Sequence, residues 1–325
     1  MRVLILGGAG FIGSNLARRC LQESGWSVRI LDSLDPRLKS SKANIQDILE
    51  RIEFIEGDIR DQDLLERLMP TTDIVFHAAA QTSHPYSLQD PLFDTEVNCI
   101  GSIKVLEAVK RQNPNAVCIY ISTTTVIGRA QSEIIDEDHV ERPTEMYSAN
   151  KGVAEKYYQI YNRVFGLKSF ALRIPNVFGP YGKPLPEFSF INFFISKVWA
   201  NESIDIFGTG ESVRNVMFVD DAVDLLICAA LEPKLFGEIL FATTHYHHSV
   251  REIAEKIIEV MGRGRLNLIA WPSDRKAIEV GNQRFSAERL FKIVSWRPRW
   301  SLEDGLLKTR KHLASREKLV SEVVR

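Results

Sequence analysis

Cysteine is the scarcest chemistry in this chain. Cys20, Cys99, Cys118 and Cys228 stand far apart among 325 residues, each in apolar surroundings. Such spacing builds neither a disulfide framework nor a zinc site, so reduced core thiols are expected. Long hydrophobic runs are missing, which argues against a membrane-spanning helix. A surplus of one charge is missing too: 41 Lys and Arg face 42 Asp and Glu, a net charge of −1. Nothing global then draws the chain to nucleic acid or to a membrane surface, and any anion site must be local. No repeat, low-complexity tract or secretory leader pattern stands out, and the opening residues read as a strand, so a cytoplasmic protein is expected. His245, His247 and His248 cluster without a carboxylate or cysteine nearby, so no metal is expected there.

What is present starts at the first residues. Val3 to Leu6 form a short apolar strand, Gly7-Gly8-Ala9-Gly10-Phe11-Ile12-Gly13 follows, and Ser14 to Leu21 have helical spacing. Strand, glycine turn and helix in that order are the context a dinucleotide fingerprint needs. One glycine makes the turn, one admits a pyrophosphate to the backbone, and one lets helix and strand pack closely. The helix start then offers free N–H groups to phosphate, with Gly7, Gly10, Phe11, Ile12 and Gly13 as the contacts. A second strand, Val28 to Leu31, ends at Asp32, about twenty residues past the last glycine, where a carboxylate would hold ribose hydroxyls. It would repel a 2′-phosphate, so NAD is expected over NADP.

The first half alternates strands and helices, the pattern of a doubly wound parallel sheet of the α/β Rossmann class. A helix around Ala43 to Glu50 leads to a strand at Ile52 to Ile55. Asp58, followed by Ile59, lies just past that strand and suits either an adenine amino group or a turn. After the strand Ile74 to Phe76, the small Ala78, Ala79 and Ala80 leave room for a cofactor, while His77 is expected to be structural. Leu92 to Lys110 and Thr144 to Phe165 read as helices, the first apolar on two faces. Val117 to Ile121 and Phe170 to Arg173 are strands. Beyond Pro175 the alternation fades, and Ile204 to Phe207 and Val216 to Val219 suggest strands around a turn. Helices are expected at Asp220 to Leu231 and Val250 to Val260. The expected division is an NAD-binding domain over 1–174, rejoined at about 212–243, and a mostly substrate-binding region over 175–325.

Tyr147 and Lys151 share one helix face, four residues apart. A free tyrosine, with a pKa near ~10, is a poor base at neutral pH. A neighbouring ammonium and a positive nicotinamide ring favour its phenolate. It could then take a hydroxyl proton while hydride leaves the same carbon. Thr123, at a neighbouring strand end, could bond the same oxygen. On its own the pair reads first as a surface tyrosine with an ordinary i,i+4 lysine, because such pairs are common on helices.

Together, Gly7 to Gly13, Asp32, Gly57-Asp58, His77 to Ala80, Ser122-Thr123 and Tyr147-x-x-x-Lys151 stand in the order of the extended short-chain dehydrogenase/reductases. Asp90-Pro91, Glu96-Val97-Asn98, Asn176 to Pro180, Arg214 and Val219-Asp220-Asp221 carry the resemblance toward their nucleotide-sugar epimerase/dehydratase branch, in its UDP-glucose 4-epimerase-like form. It reaches Trp296-Arg297-Pro298. The resemblance implies NAD as cofactor, a nucleotide-diphosphate sugar as substrate, and Tyr147, Lys151 and Thr123 as catalytic groups. It further implies substrate contacts at Gln81, Thr123, Thr124, Tyr147, Asn176, Phe207, Arg214 and Arg275, the arginines on phosphate. A homodimer through a four-helix interface, two helices from each copy, is also implied.

Two departures narrow the chemistry. Thr124-Thr125 stand where the 4,6-dehydratases of this family carry two acids and its decarboxylating members a glutamate. Hydroxyls do not supply those proton transfers at neutral pH. Ile127 replaces the tyrosine of Val-Tyr-Gly beside the sugar. An NAD-dependent epimerase acting at C4 through a transient 4-keto sugar is therefore expected. The alternatives are an NAD(P)H-dependent keto-sugar reductase, against which Asp32 counts, and a non-catalytic NAD-binding scaffold, against which Thr123, Tyr147 and Lys151 count.

Overall fold

The computed structural model describes residues 1–272, 276 and 279–323, with side chains as far as 317. Its strands are β1 (Arg2–Leu6), β2 (Ser27–Asp32), β3 (Glu53–Glu56), β4 (Ile74–His77), β5 (Val117–Thr123), β6 (Lys168–Ile174), β7 (Asn176–Phe178), β8 (Ser203–Phe207), β9 (Val213–Phe218), β10 (Ile239–Phe241), β11 (His247–Ser249) and β12 (Arg265–Ile269). The main helices are α1 (Phe11–Cys20), α2 (Gln62–Leu68), α3 (His84–Gln89), α4 (Pro91–Thr95), α5 (Gly101–Gln112), α6 (Met146–Phe165), α7 (Phe190–Trp199), α8 (Val219–Ala230) and α9 (Val250–Met261). Helices Glu288–Ile293 and Leu302–Val323 follow.

Seven strands form one parallel sheet in the order β10-β6-β5-β4-β1-β2-β3. The uninterrupted apolar run of β1 has its reason here, because the strand is covered on both faces. Val3 and Ile5 pack with Leu16 and Ala17 of α1, while Leu4 and Leu6 join Val105 and Leu106 of α5 in the opposite layer. The winding reverses between β1 and β4. In a sheet of this kind the ligand crevice opens at that point, beyond the carboxyl ends of the strands. After β7 and β9 of the small sheet β11-β9-β7, the chain returns through α8, packed on α1, adds β10 at the edge beside β6, and only then forms β11.

Several local expectations are corrected. Residues 43–50 form two 3₁₀ turns, Lys42–Asn44 and Gln46–Arg51, with Ile45 between them and Ile48 buried. The expected helix over 92–110 is α4 and α5 joined by a π turn, Glu96–Ile100. The wider turn brings Asn98 Nδ2 to the Gln81 carbonyl at 3.0 Å. β8 and β9 flank the turn at 208–210 as expected, but they do not pair with each other. β8 pairs with β12, and β9 with β7 and β11. Cys228 is exposed on the outer side of α8, whereas Cys20, Cys99 and Cys118 are buried.

Candidate active site

One cavity at the switch point gathers most of the residues singled out in the sequence. Gly7, Gly10, Phe11, Ile12, Gly13, Asp32, Asp58, Ile59, Ala78, Ala79 and Ala80 line one part of it. Thr123, Thr124, Tyr147, Lys151 and Asn176 line the other.

The first part is shaped by backbone. Gly7 has φ +77°, and a Cβ there would lie 2.6 Å from the Ala79 nitrogen. At Gly13 a Cβ would lie 2.3 Å from the Gly7 carbonyl oxygen. The turn is therefore closed to side chains, and α1 begins at Gly10 with no side-chain cap on its free N–H groups. Asp32 is buried at the end of β2, where it accepts from Ala9 N at 2.9 Å, Leu34 N at 3.0 Å and Ser40 Oγ at 2.8 Å. An uncapped helix start, a tight glycine turn and an oriented carboxylate fit the pyrophosphate and adenosine ribose of NAD. Asp58 is otherwise engaged, since Arg60 donates to it through N, Nε and Nη2. Burial pushes its carboxyl up, but these bonds prevail and hold it below the usual range. Adenine recognition by Asp58 would have to share the carboxylate with Arg60.

Sequence reasoning missed Lys183 at this end. It lines the cavity, its Nζ donates to the Leu38 carbonyl at 2.6 Å, and burial pulls it down to about 8, with Asp32 opposing. A lysine inside an otherwise apolar stretch with prolines and aromatics was the available signal.

At the other part, β5 delivers Thr123 and a 3₁₀ turn over Thr124–Ile127 carries the chain away. Gly128 ends the turn at φ +64°, where a Cβ would overlap the Arg142 carbonyl. Tyr147 and Lys151 face the cavity from the first two turns of α6. The Lys151 ammonium donates to the Ile121 carbonyl at 2.7 Å and lies 4.0 Å from the centre of the Tyr120 ring. Burial lowers it to about 7, against the pull of Glu155 and Asp94. The expected depression of the tyrosine is not present in the protein alone. Burial pushes the Tyr147 hydroxyl well up, Glu145 and Asp94 add to the rise, and a hydrogen bond with Thr123 opposes it.

Beneath the site, Ser122 Oγ donates to the fully buried Glu155, which also accepts from Arg173 Nε at 3.0 Å and Nη2 at 2.8 Å. Arg173 and Lys156 both meet Glu141. His77 is buried with Nδ1 2.7 Å from the Tyr158 hydroxyl. Burial, then repulsion by Lys151, lowers it to about 3, so it is neutral and structural.

Three expected contacts stand elsewhere. Gln81 is fully buried, and its Nε2 donates to the Ser83 carbonyl and to Asp94 Oδ2 at 2.7 Å, so its amide braces the loop and does not reach the cavity. Arg214 gives Nη2 to Glu279 at 3.1 Å and Nη1 to two carbonyls, which leaves its charge already paired away from the cavity wall. Phe207 packs against Trp271 with ring centres 5.2 Å apart, outside that wall. Arg275 lies outside the described residues. Among the described residues no group of three or more His, Cys, Asp or Glu side chains could hold a metal, and no helix is long and apolar enough to cross a membrane.

Residues 3–239 match the family described as the NAD dependent epimerase/dehydratase family. A UDP-glucose 4-epimerase of Mycolicibacterium smegmatis is 30% identical over 310 residues, which cover 95% of this chain and 97% of that protein. The crystal structure of a UDP-glucose 4-epimerase with UDP-glucose from Thermotoga maritima superposes with a TM-score of 0.88 at 28% identity, covering 98% of this chain and all of that one. The Thermus thermophilus UDP-glucose 4-epimerase complex with NAD gives a TM-score of 0.85 at 28% identity, covering 97% and 99% of the two chains. With the glycine turn, Asp32 and the Tyr147/Lys151 pair in one cavity, and with likeness along nearly its whole length, the chain belongs to the NAD dependent epimerase/dehydratase family.

Proposed function

We propose that this protein is an NAD-dependent nucleotide-sugar epimerase acting at C4. The observation that carries the reading is one cavity with an uncapped, glycine-built phosphate cradle at one end and Tyr147, Lys151 and Thr123 lining it at the other. Bound NAD supplies a reversible hydride acceptor and a positive ring that favours the phenolate. Gly7, Gly10, Phe11, Ile12, Gly13 and Asp32 hold it, and Ala78 to Ala80 leave room along its length. Lys151, titrating near neutrality, adds positive charge beside Tyr147 when protonated. Tyr147 takes the proton of the C4 hydroxyl and returns it after the keto sugar has turned over, while Thr123 holds the oxygen. Thr124 and Thr125 carry no acid, which disfavours loss of water. Residues 1–174, with α8 and β10, serve the cofactor, and most of 175–325 the nucleotide sugar.

Leu92 and Ile100 beside α5, and Val153, Ile160 and Val164 on α6, are exposed apolar side chains on adjoining helices. They suit a homodimer in which two helices of each copy form a four-helix interface. The protein works in the cytoplasm on this reading.

The test is incubation with UDP-, dTDP-, GDP- and CDP-hexoses deuterated at C4, without added cofactor. The expected product is the C4 epimer with its label retained, formed while bound NAD is regenerated. Tyr147→Phe should lower turnover by about a thousandfold and leave bound NAD in place. A 4-keto-6-deoxy product, or full activity in Tyr147→Phe, overturns the reading.

A further inference from the structure

Beside Tyr147 the cavity wall carries a second pair of titratable groups that C4 epimerisation leaves unused. His84 opens α3 and Glu145 directly precedes α6, so residues far apart in sequence meet at the cavity. His84 Nδ1 bonds Glu145 Oε1. The Glu145 side chain is only 9% exposed. Its Oε1 lies 2.7 Å from Ser148 Oγ, which lies 2.8 Å from Thr125 Oγ1, itself 3.1 Å from Thr123 Oγ1. The carboxylate is thus fixed, and it fixes the imidazole in turn. A carboxylate on Nδ1 selects the tautomer with the proton there and leaves the Nε2 lone pair free. Among the described residues nothing bonds that nitrogen. The His84 ring lines the cavity with its centre 5.0 Å from the centre of the Tyr147 ring. A base held by an orienting carboxylate, on a residue that lines a substrate cavity, is the arrangement proton-transfer catalysis requires.

We propose that His84, oriented by Glu145, is a second acid–base catalyst of this site and exchanges a proton on the carbon next to the C4 ketone of a nucleoside-diphosphate 4-keto sugar. The proposal rests on the C4 reading above. A carbonyl at C4 acidifies the C–H bonds at C3 and C5. His84 Nε2 takes one of these protons, the C–H electron pair becomes the C=C bond, and the carbonyl oxygen becomes an enolate oxygen facing the Tyr147 hydroxyl. Return of the proton from Nε2 restores the ketone, with retention if the sugar has not moved and with inversion once it has turned over in the cavity. No oxidant or water is consumed. Elimination does not follow, because a departing hydroxyl needs a proton donor and the neighbouring Thr124 and Thr125 are not acids. The site then serves substrates whose configuration differs at C3 or C5 as well as at C4.

The experiment bypasses C4 oxidation by supplying ready-made UDP-, dTDP-, GDP- and CDP-4-keto-6-deoxyglucose to the holoenzyme in deuterated water. Mass spectrometry and proton NMR should show deuterium entering C3 or C5 at least a hundredfold faster than in buffer. His84→Phe should lower that rate about a hundredfold, and Glu145→Gln, which keeps the shape, about tenfold. Nitrogen-15 NMR of the wild-type protein without substrate should show His84 protonated on Nδ1 and bare on Nε2, with that preference lost in Glu145→Gln. Because the ketone is supplied ready-made, exchange does not depend on C4 oxidation: failure of C4 epimerisation with exchange intact overturns the C4 reading alone, whereas Tyr147→Phe, which removes the hydroxyl facing the enolate oxygen, should slow both. Exchange at the buffer rate with all four ketones, undiminished exchange in His84→Phe, or a proton on Nε2 in the wild type overturns the proposal.

Discussion

The two ends of the cavity are built on different principles. At the cofactor end the surface is main chain, with a glycine turn against Ala79 and an uncapped helix start. At the sugar end it is side chains from segments that meet only after folding: Thr123 from β5, Tyr147 and Lys151 from α6, His84 from α3 and Asn176 from β7. A backbone surface tolerates almost no substitution at its glycines and says little about which sugar is bound. A side-chain surface can change its chemistry one residue at a time, provided the layer beneath holds its shape. At the sugar end that layer is the buried Glu155–Arg173 pair with Ser122.

The sharpest way to break the contrast is Gly13→Val. Its Cβ alone would stand 2.3 Å from the Gly7 carbonyl oxygen, so NAD affinity should fall by a thousandfold or more, read by calorimetric titration of the apoprotein. A variant that binds NAD within tenfold of wild type would show that the cradle adapts as the sugar end does. Glu155→Gln should come next. It leaves Arg173 with less of its buried partner, and unfolding free energy should drop by about 3 kcal/mol in urea titrations. Turnover should suffer more than NAD affinity, because Ser122 precedes Thr123.

The smallest effect lies between the two ends. His77 titrates near 6.5 when unfolded and about 3 when folded, so the unfolded chain binds the extra proton between those values. Its contribution to stability is complete above pH 6.5 and falls by about 1.4 kcal/mol per pH unit down to about 3. From pH 7 to pH 5 the wild type should lose about 2 kcal/mol through this group. The same titration on His77→Gln should show a shallower acid limb, and an equal limb would assign the loss to other groups.

The same contrast explains what the sequence made legible. Glycine spacing, the Asp32 interval and the Tyr147/Lys151 pair follow local rules, and their residues line one cavity. Gln81 and Arg214 obey no local rule. Whether each meets a ligand depends on Asp94 and Glu279, which fold in from other segments and occupy their polar groups. His84 and Glu145 are 61 residues apart, and nothing in either neighbourhood announces the other. The partnership of β8 with β12 is likewise long-range and has no local signal. Charged stretches carried little signal too, as in the final helix, which runs on to Val323 despite its many polar residues.

The π turn over Glu96–Ile100 has a consequence best put in terms of chain length. Such a turn holds one residue more than the α-helix would need. A single deletion there would yield a more regular helix and a worse protein. Every residue on one side of it would rotate by roughly 100° relative to the other side. Asn98 would leave the Gln81 carbonyl, and Asp94 would leave Asn150 on α6, bonded at 2.7 Å. Descendants of this chain that gain or lose residues should therefore do so in loops and keep the count through this helix unchanged.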